Sequence, residues 1–191
     1  MSDAGGRMAY SMSGSREQNE PFIVAVFDGM GGEQCGELAS LIAAKYAADF
    51  AIGQQPVEDL NRFCREANDE ICRYADDNNI RSMGTTAAIL AFAKKEIALC
   101  NIGDSKVFRF DGEKLDQIST DDYAVAFPGR KPPLSQNLGI PMSEMVIEPH
   151  LARGFYHDGD VYLLCLVELI CIVLIKGGIA KWINMTALIL L

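Results

Sequence analysis

Three features of the sequence predict an α+β fold. Apolar residues at Val57, Leu60, Cys64, Ala67, Ile71 and Tyr74 step by three and four. Asp59, Arg62, Arg65, Asp69, Glu70 and Arg73 take the opposite face, so residues 57–77 read as an amphipathic helix. Short apolar runs joined by Lys94-Lys95 and by Asp111-Gly112 read as antiparallel hairpins, Asp-Gly being a strong turn signal. Finally, the apolar run Phe22-Ile-Val-Ala-Val-Phe27 passes through a glycine-rich turn into a second helical segment at 33–50.

Taken in order, residues 1–19 are polar and rich in Gly and Ser, an arm or an edge strand. The strand at 22–27 and the helices at 33–50 and 57–77 follow. Two hairpins come next, 87–93 with 96–102 and 106–110 with 114–118. Residues 126–149 hold five of the seven prolines and little periodicity, which predicts an extended loop region. Val161–Cys165 resumes a strand. Residues 161–175 are apolar except for Glu168, and 183–191 are apolar again. A bilayer span needs about 20 apolar residues, and a carboxylate at its centre is costly, so this tail is expected to be a buried strand and helix.

A chain of 191 residues is expected to form one domain, 1–191, with a core that needs no staples. Its net charge of −9, from 17 basic and 26 acidic residues, disfavours nucleic acid and anionic membranes as partners. The six cysteines contain no C-x-x-C pair, and Cys64, Cys72 and Cys100 fall in apolar settings. They read as reduced core residues, not as a disulfide frame or a zinc site. The first residues carry no apolar signal segment, so a cytoplasmic monomer is the expectation.

Chemistry collects at Asp28-Gly29-Met30-Gly31-Gly32, where a carboxylate closes the first apolar strand. A dinucleotide loop of the form G-x-G-x-x-G would need glycine where Gln34 stands, and Asp28 would repel a pyrophosphate. An aspartate there suits a hard divalent cation with oxygen ligands; the plainer alternative is an aspartate that caps the turn. Three more segments carry excess polar and glycine content: Arg16-Glu17-Gln18-Asn19-Glu20, Gly84-Thr85-Thr86 and Asn101-Ile102-Gly103-Asp104-Ser105. Each alone has a dull explanation, since Gly-Asp-Ser is common in turns.

Together and in order, these segments resemble the metal-dependent serine/threonine phosphatases of the type 2C (PPM) family in its bacterial form. Gly36-Glu-Leu-Ala-Ser40, Met83-Gly-Thr-Thr86, Leu134-Ser-Gln-Asn-Leu-Gly139 and Gly159-Asp-Val-Tyr-Leu-Leu-Cys165 continue the match. The resemblance implies a four-layer αββα sandwich, two antiparallel sheets flanked by helices, incomplete in its C-terminal part. It implies two Mn²⁺ or Mg²⁺ ions, with a third, weaker site. Asp28 matches the bridging carboxylate, Gly29 the carbonyl ligand, Glu20 an acidic ligand and Asp104 the carboxylate of the third ion. Arg16 matches the phosphate-holding arginine, so Asp28 and Arg16 are the implied catalytic residues. The implied reaction is hydrolysis of phosphoserine or phosphothreonine in a phosphorylated protein by water activated between the cations. The alternative is an impaired pseudophosphatase acting as a binding or regulatory module.

The sequence departs from the family at four points. Met30 stands where some relatives carry histidine. Pro21 and the first strand follow Glu20 directly. Leu166-Val167-Glu168 replaces an expected Ser-Asp-Gly, and Ile183 replaces an expected aspartate before Asn184.

Overall fold

The computed structural model describes residues 21–30, 35–125, 129, 132–166, 170–176 and 179–184. Nine strands and two helices are described among them, in the order β1 (Phe22–Val26), α1 (Gly36–Asp49), α2 (Pro56–Asp77), β2 (Ala87–Ala93), β3 (Glu96–Ile102), β4 (Lys106–Phe110), β5 (Leu115–Gln117), β6 (His150–Phe155), β7 (Val161–Cys165), β8 (Ile170–Lys176) and β9 (Ile179–Asn184). The strands form two antiparallel sheets, one ordered β1-β2-β3-β6 and the other β5-β4-β7-β8-β9.

Strand alternation assigns each side chain of the first sheet to one of two cores. Phe27, Ala87, Ile89, Ala91, Ala98, Cys100 and Ile102 join the buried face of α2 (Leu60, Phe63, Cys64, Ala67, Ile71) and the small residues Ala39, Ala43 and Ala47 of α1. Val24, Val26, Ala88, Leu90, Phe92, Ile97 and Leu99 join Val107, Tyr162, Leu164 and Leu166 of the second sheet. β2 is therefore covered on both faces, which is why Ala-Ala-Ile-Leu-Ala-Phe-Ala is an unbroken apolar run. Phe92 anchors the inter-sheet core, stacked on Phe22 at 4.8 Å and edge-on to Tyr162 at 5.8 Å.

α2 matches its expected span, but its inward stripe is turned slightly. Phe63 and Ala75 are buried, whereas Tyr74 is 36% exposed. Two expectations are corrected, and one strand was unforeseen. The first hairpins are present, yet β6 was not foreseen: His-Leu-Ala-Arg-Gly-Phe lacks alternation and is a strand because it pairs with β3 from Asn101↔His150 to Glu96↔Phe155. The tail is a hairpin, β8 with β9, and not a strand followed by a helix; the apolar run at 170–176 is too short for periodicity to separate the two. Cys72, expected in the core, is only half-buried on the flank of α2. The expected arm at 1–19, Glu168 and residues 185–191 lie outside the described residues. No described helix is long and apolar enough to cross a membrane.

Candidate functional site

The sheet register brings two of the expected residues to one edge. β1 sets Val26 opposite Ala88, and β2 sets Ala87 opposite Ile102. Just beyond the strands, Asp28 meets Thr86 and Thr86 meets Gly103. The Thr86 N–H donates to the Asp28 carbonyl at 2.9 Å, and the Asp28 N–H donates to Thr86 Oγ1 at 3.1 Å. Thr86 Oγ1 lies 2.5 Å from Ser105 Oγ. Both hydroxyls are buried, so the link between Asp28 and the Gly103-Asp104-Ser105 bend runs through the interior. That bend is also where the chain leaves the first sheet for the second, since β3 and β4 belong to different sheets.

Gly29 forms an antiparallel bridge with Thr85, flanked by a Met30 N–H donated to the Gly84 carbonyl at 3.0 Å. In such a pair the flanking residues make the bonds, and the carbonyl of Gly29 itself takes no part in the bridge. A Cβ on Gly29 would lie 2.3 Å from the Gly36 carbonyl oxygen, so the start of α1 packs directly on the strand end. Gly103 has φ +91°, and a Cβ there would sit 2.7 Å from Thr86 Cγ2. Glycine at this position serves both the left-handed turn and the close approach.

Four further groups brace the edge. Asn101 donates to the Ser105 carbonyl at 3.0 Å and accepts the Thr120 N–H at 3.1 Å. Leu138 pairs with Thr85 through bonds of 2.9 and 3.0 Å, and the following turn is clasped by Asn68 of α2, whose Oδ1 accepts the Gly139 N–H at 2.8 Å. Asp122, buried, accepts the Gly103 N–H at 2.8 Å. Asp104 itself is half-buried, and Tyr123 donates its hydroxyl to Asp104 Oδ2 at 3.2 Å. Burial, and then the Asp104 charge, hold the Tyr123 phenol above its usual pKa, which keeps it a donor.

Asp28, Gly29 and Asp104 thus belong to one braced edge between the sheets, while Arg16 and Glu20 lie outside the described residues. Among the described residues no three His, Cys, Asp or Glu side chains converge as a metal cluster. The register runs on from Lys106↔Cys165 to place Leu166 against Ser105, and Leu166 is buried in the inter-sheet core. Ile183 pairs with Ile172 in β9, with β8 and β7 between it and β4. Asp122 and Tyr123 were not singled out from the sequence. They lie 19 residues from their partners in the bend, in a segment without periodicity, so no local pattern marks them.

Two packed sheets meet at the crossover that joins β3 to β4, and comparison with known proteins gives the family. Residues 10–126 match the family model for protein phosphatase 2C. The chain belongs to the protein phosphatase 2C family. It is 31% identical over 117 residues to a serine/threonine phosphatase, stp, of Listeria welshimeri, covering 57% of this chain and 46% of that one. It is 30% identical over 158 residues to the serine/threonine protein phosphatase PstP of Mycobacterium tuberculosis, covering 75% and 30%. The chain therefore spans less than half the length of these curated relatives. Among solved structures, the Mycobacterium tuberculosis phosphatase PstP/Ppp superposes with a TM-score of 0.65 at 26% identity, covering 82% of this chain and 75% of that one. The catalytic domain of PstP in complex with two manganese ions superposes at 0.64 and 29%, covering 83% and 75%.

Proposed function

We propose that this chain hydrolyses phosphoserine and phosphothreonine in proteins with the help of Mn²⁺ or Mg²⁺. The observation that carries the reading is the buried hydroxyl link joining Asp28 to the Asp104 bend, in a chain of this family. The donors on this edge fit a hard cation: carboxylates at Asp28 and Asp104 and a backbone carbonyl at Gly29 are all oxygen ligands. Two manganese ions in the PstP catalytic domain support the same assignment.

In this reading Asp28, Gly29 and Glu20 would hold the cation pair, and Asp104 would hold a weaker third ion. When bound, the cations lower the pKa of a water and neutralise charge on the phosphate. Arg16 grips phosphate oxygens in a bidentate fork, orienting the phosphoryl group. Thr86 holds the Asp28 backbone and its hydroxyl links it to Ser105, the neighbour of Asp104, without touching substrate. Met30 has no proton to give, so the leaving alkoxide takes its proton from solvent. The substrate is a phosphorylated protein, and the second helical layer of a four-layer sandwich belongs to the same inference.

A second reading, a binding module that has lost turnover, is favoured by Leu166: an apolar side chain in the inter-sheet core stands where a Ser-Asp-Gly segment is expected. Release of phosphate from a phosphoserine peptide with MnCl2, compared between wild type and Asp28→Asn, separates the two. Hydrolysis is expected to be Mn²⁺-dependent and to fall about a hundredfold or more in the variant. Equal, background rates in both proteins would remove the enzyme reading.

A further inference from the structure

The bend that carries Asp104 is held from outside by a residue with no assigned role. Asp122 follows β5 and is 6% exposed. Its Oδ2 accepts the Gly103 N–H at 2.8 Å, and its own N–H donates to the Gly103 carbonyl at 3.0 Å. Gly103 is therefore grasped at both backbone polar groups by one residue, in the left-handed conformation from which Asp104 departs. The other carboxylate oxygen, Oδ1, accepts Gln136 Nε2 at 3.0 Å and lies 2.8 Å from His150 Nε2. Gln136 is in turn fixed by two bonds to the Glu148 backbone, both 2.9 Å. The Asp122 carbonyl accepts the Ser135 N–H at 3.1 Å. One buried carboxylate thus ties together the β3–β4 crossover, the segment after β5, the 135–136 segment and the start of β6.

A carboxylate buried only to fill a turn does not need partners on three other segments, because burying it is costly and each bond offsets part of that cost. The neighbouring residue extends the grip, since Tyr123 bonds Asp104 directly. Consecutive residues therefore hold the backbone of Gly103 and the side chain of Asp104.

We propose that Asp122 is a positioning residue for the Asp104 cation site: held by Gln136 and His150, it fixes the Gly103 peptide groups and with them the direction of the Asp104 carboxylate. The proposal rests on the reading of Asp104 as a cation ligand. Groups that orient a ligand without touching the ion change metal affinity by about ten- to a hundredfold when removed.

The test measures Mn²⁺ affinity of the full chain from the loss of the free-ion electron paramagnetic resonance signal, alongside the melting temperature in EDTA. Asp122→Ala is expected to weaken the weaker class of bound Mn²⁺ by about tenfold or more. Asp122→Asn keeps an oxygen acceptor for the Gly103 N–H and is expected to restore affinity to within about threefold of wild type. Asp160→Ala is the control. It removes an equally buried carboxylate hub, bonded to Arg109 and Tyr162, beside Val161 at the far end of the β4–β7 ladder. That variant is expected to melt earlier and to bind Mn²⁺ as wild type does. Should Asp122→Ala not fold, Gln136→Ala at a half-exposed position loosens the same grip, with about threefold weaker binding expected.

Wild-type affinity in Asp122→Ala, or in Gln136→Ala where that variant decides, overturns the inference and leaves the phosphatase reading standing. Equal weakening in Asp122→Ala and Asp160→Ala overturns it too, by making the effect one of general stability. A wild-type chain that takes up no Mn²⁺ contradicts the functional reading and this inference with it.

Discussion

Thr86 shows how much of the candidate site rests on side chains that carry no charge. Its buried hydroxyl accepts the Asp28 N–H and meets the buried Ser105 hydroxyl at 2.5 Å. Thr86→Val keeps the shape and removes the oxygen, leaving the Asp28 N–H without this acceptor. The expected cost is about 1–3 kcal/mol of stability, read as a lower denaturation midpoint at unchanged slope. A midpoint equal to wild type would mean that the hydroxyl link does not hold the strand end. Asp28 was legible in the sequence because a lone carboxylate ending an apolar run, followed by glycines, is a local pattern. Asp122 was not, because its partners Gly103, Gln136 and His150 are 14 to 28 residues away and only the fold unites them.

At the scale of elements, α2 shows what periodicity can and cannot deliver. Its span was legible because the apolar stripe is regular and Pro56 stands at its first position. The exact facing was not, since Phe63 packs against Phe27, Tyr46 and Phe50 and turns the stripe away from Tyr74. Cys72 lies on the resulting flank. Burial first, then the charges of Asp69, Asp76 and Glu144, push its thiol from 9.0 to about 11. The fold thus favours the neutral thiol, and the stability this contributes is present below pH 9.0 and lost as pH rises through about 11. Relative to Cys72→Ala, wild type is expected to lose melting temperature across that window and not below it. A difference that stays constant from pH 8 to pH 11 would contradict the assignment.

Cys64 of α2 and Cys100 of β3 illustrate the opposite case. Their sulfurs are 3.1 Å apart with both side chains fully buried, and the contact with Cys64, followed by burial, raises the Cys100 thiol well above its ordinary pKa. The pair packs α2 on β3. Strands behave likewise: β2 and β3 were legible to the residue, whereas β6 is defined by its partner and the β8–β9 hairpin by pairing that an apolar tail does not encode.

For the whole molecule, the two sheets matter because the candidate site lies at their crossover. The helix-side core and the inter-sheet core both close on the first sheet, so the strand ends that carry Asp28, Thr86 and Gly103 are fixed from two directions. Family membership was legible from motifs spread along the chain, and the braced edge supplies the physical reason for their spacing. Four of the motifs meet there: Asp28 bonds Thr86, Gly103 packs on Thr86, and Thr85 pairs with Leu138. The most direct measurement is anomalous scattering at the manganese edge from crystals of the full chain grown with MnCl2. The account predicts a Mn²⁺ peak about 2.0–2.6 Å from an Asp28 carboxylate oxygen, on the edge shared with Asp104. An Asp28 carboxylate turned to bulk solvent, with no peak on that edge, would contradict it.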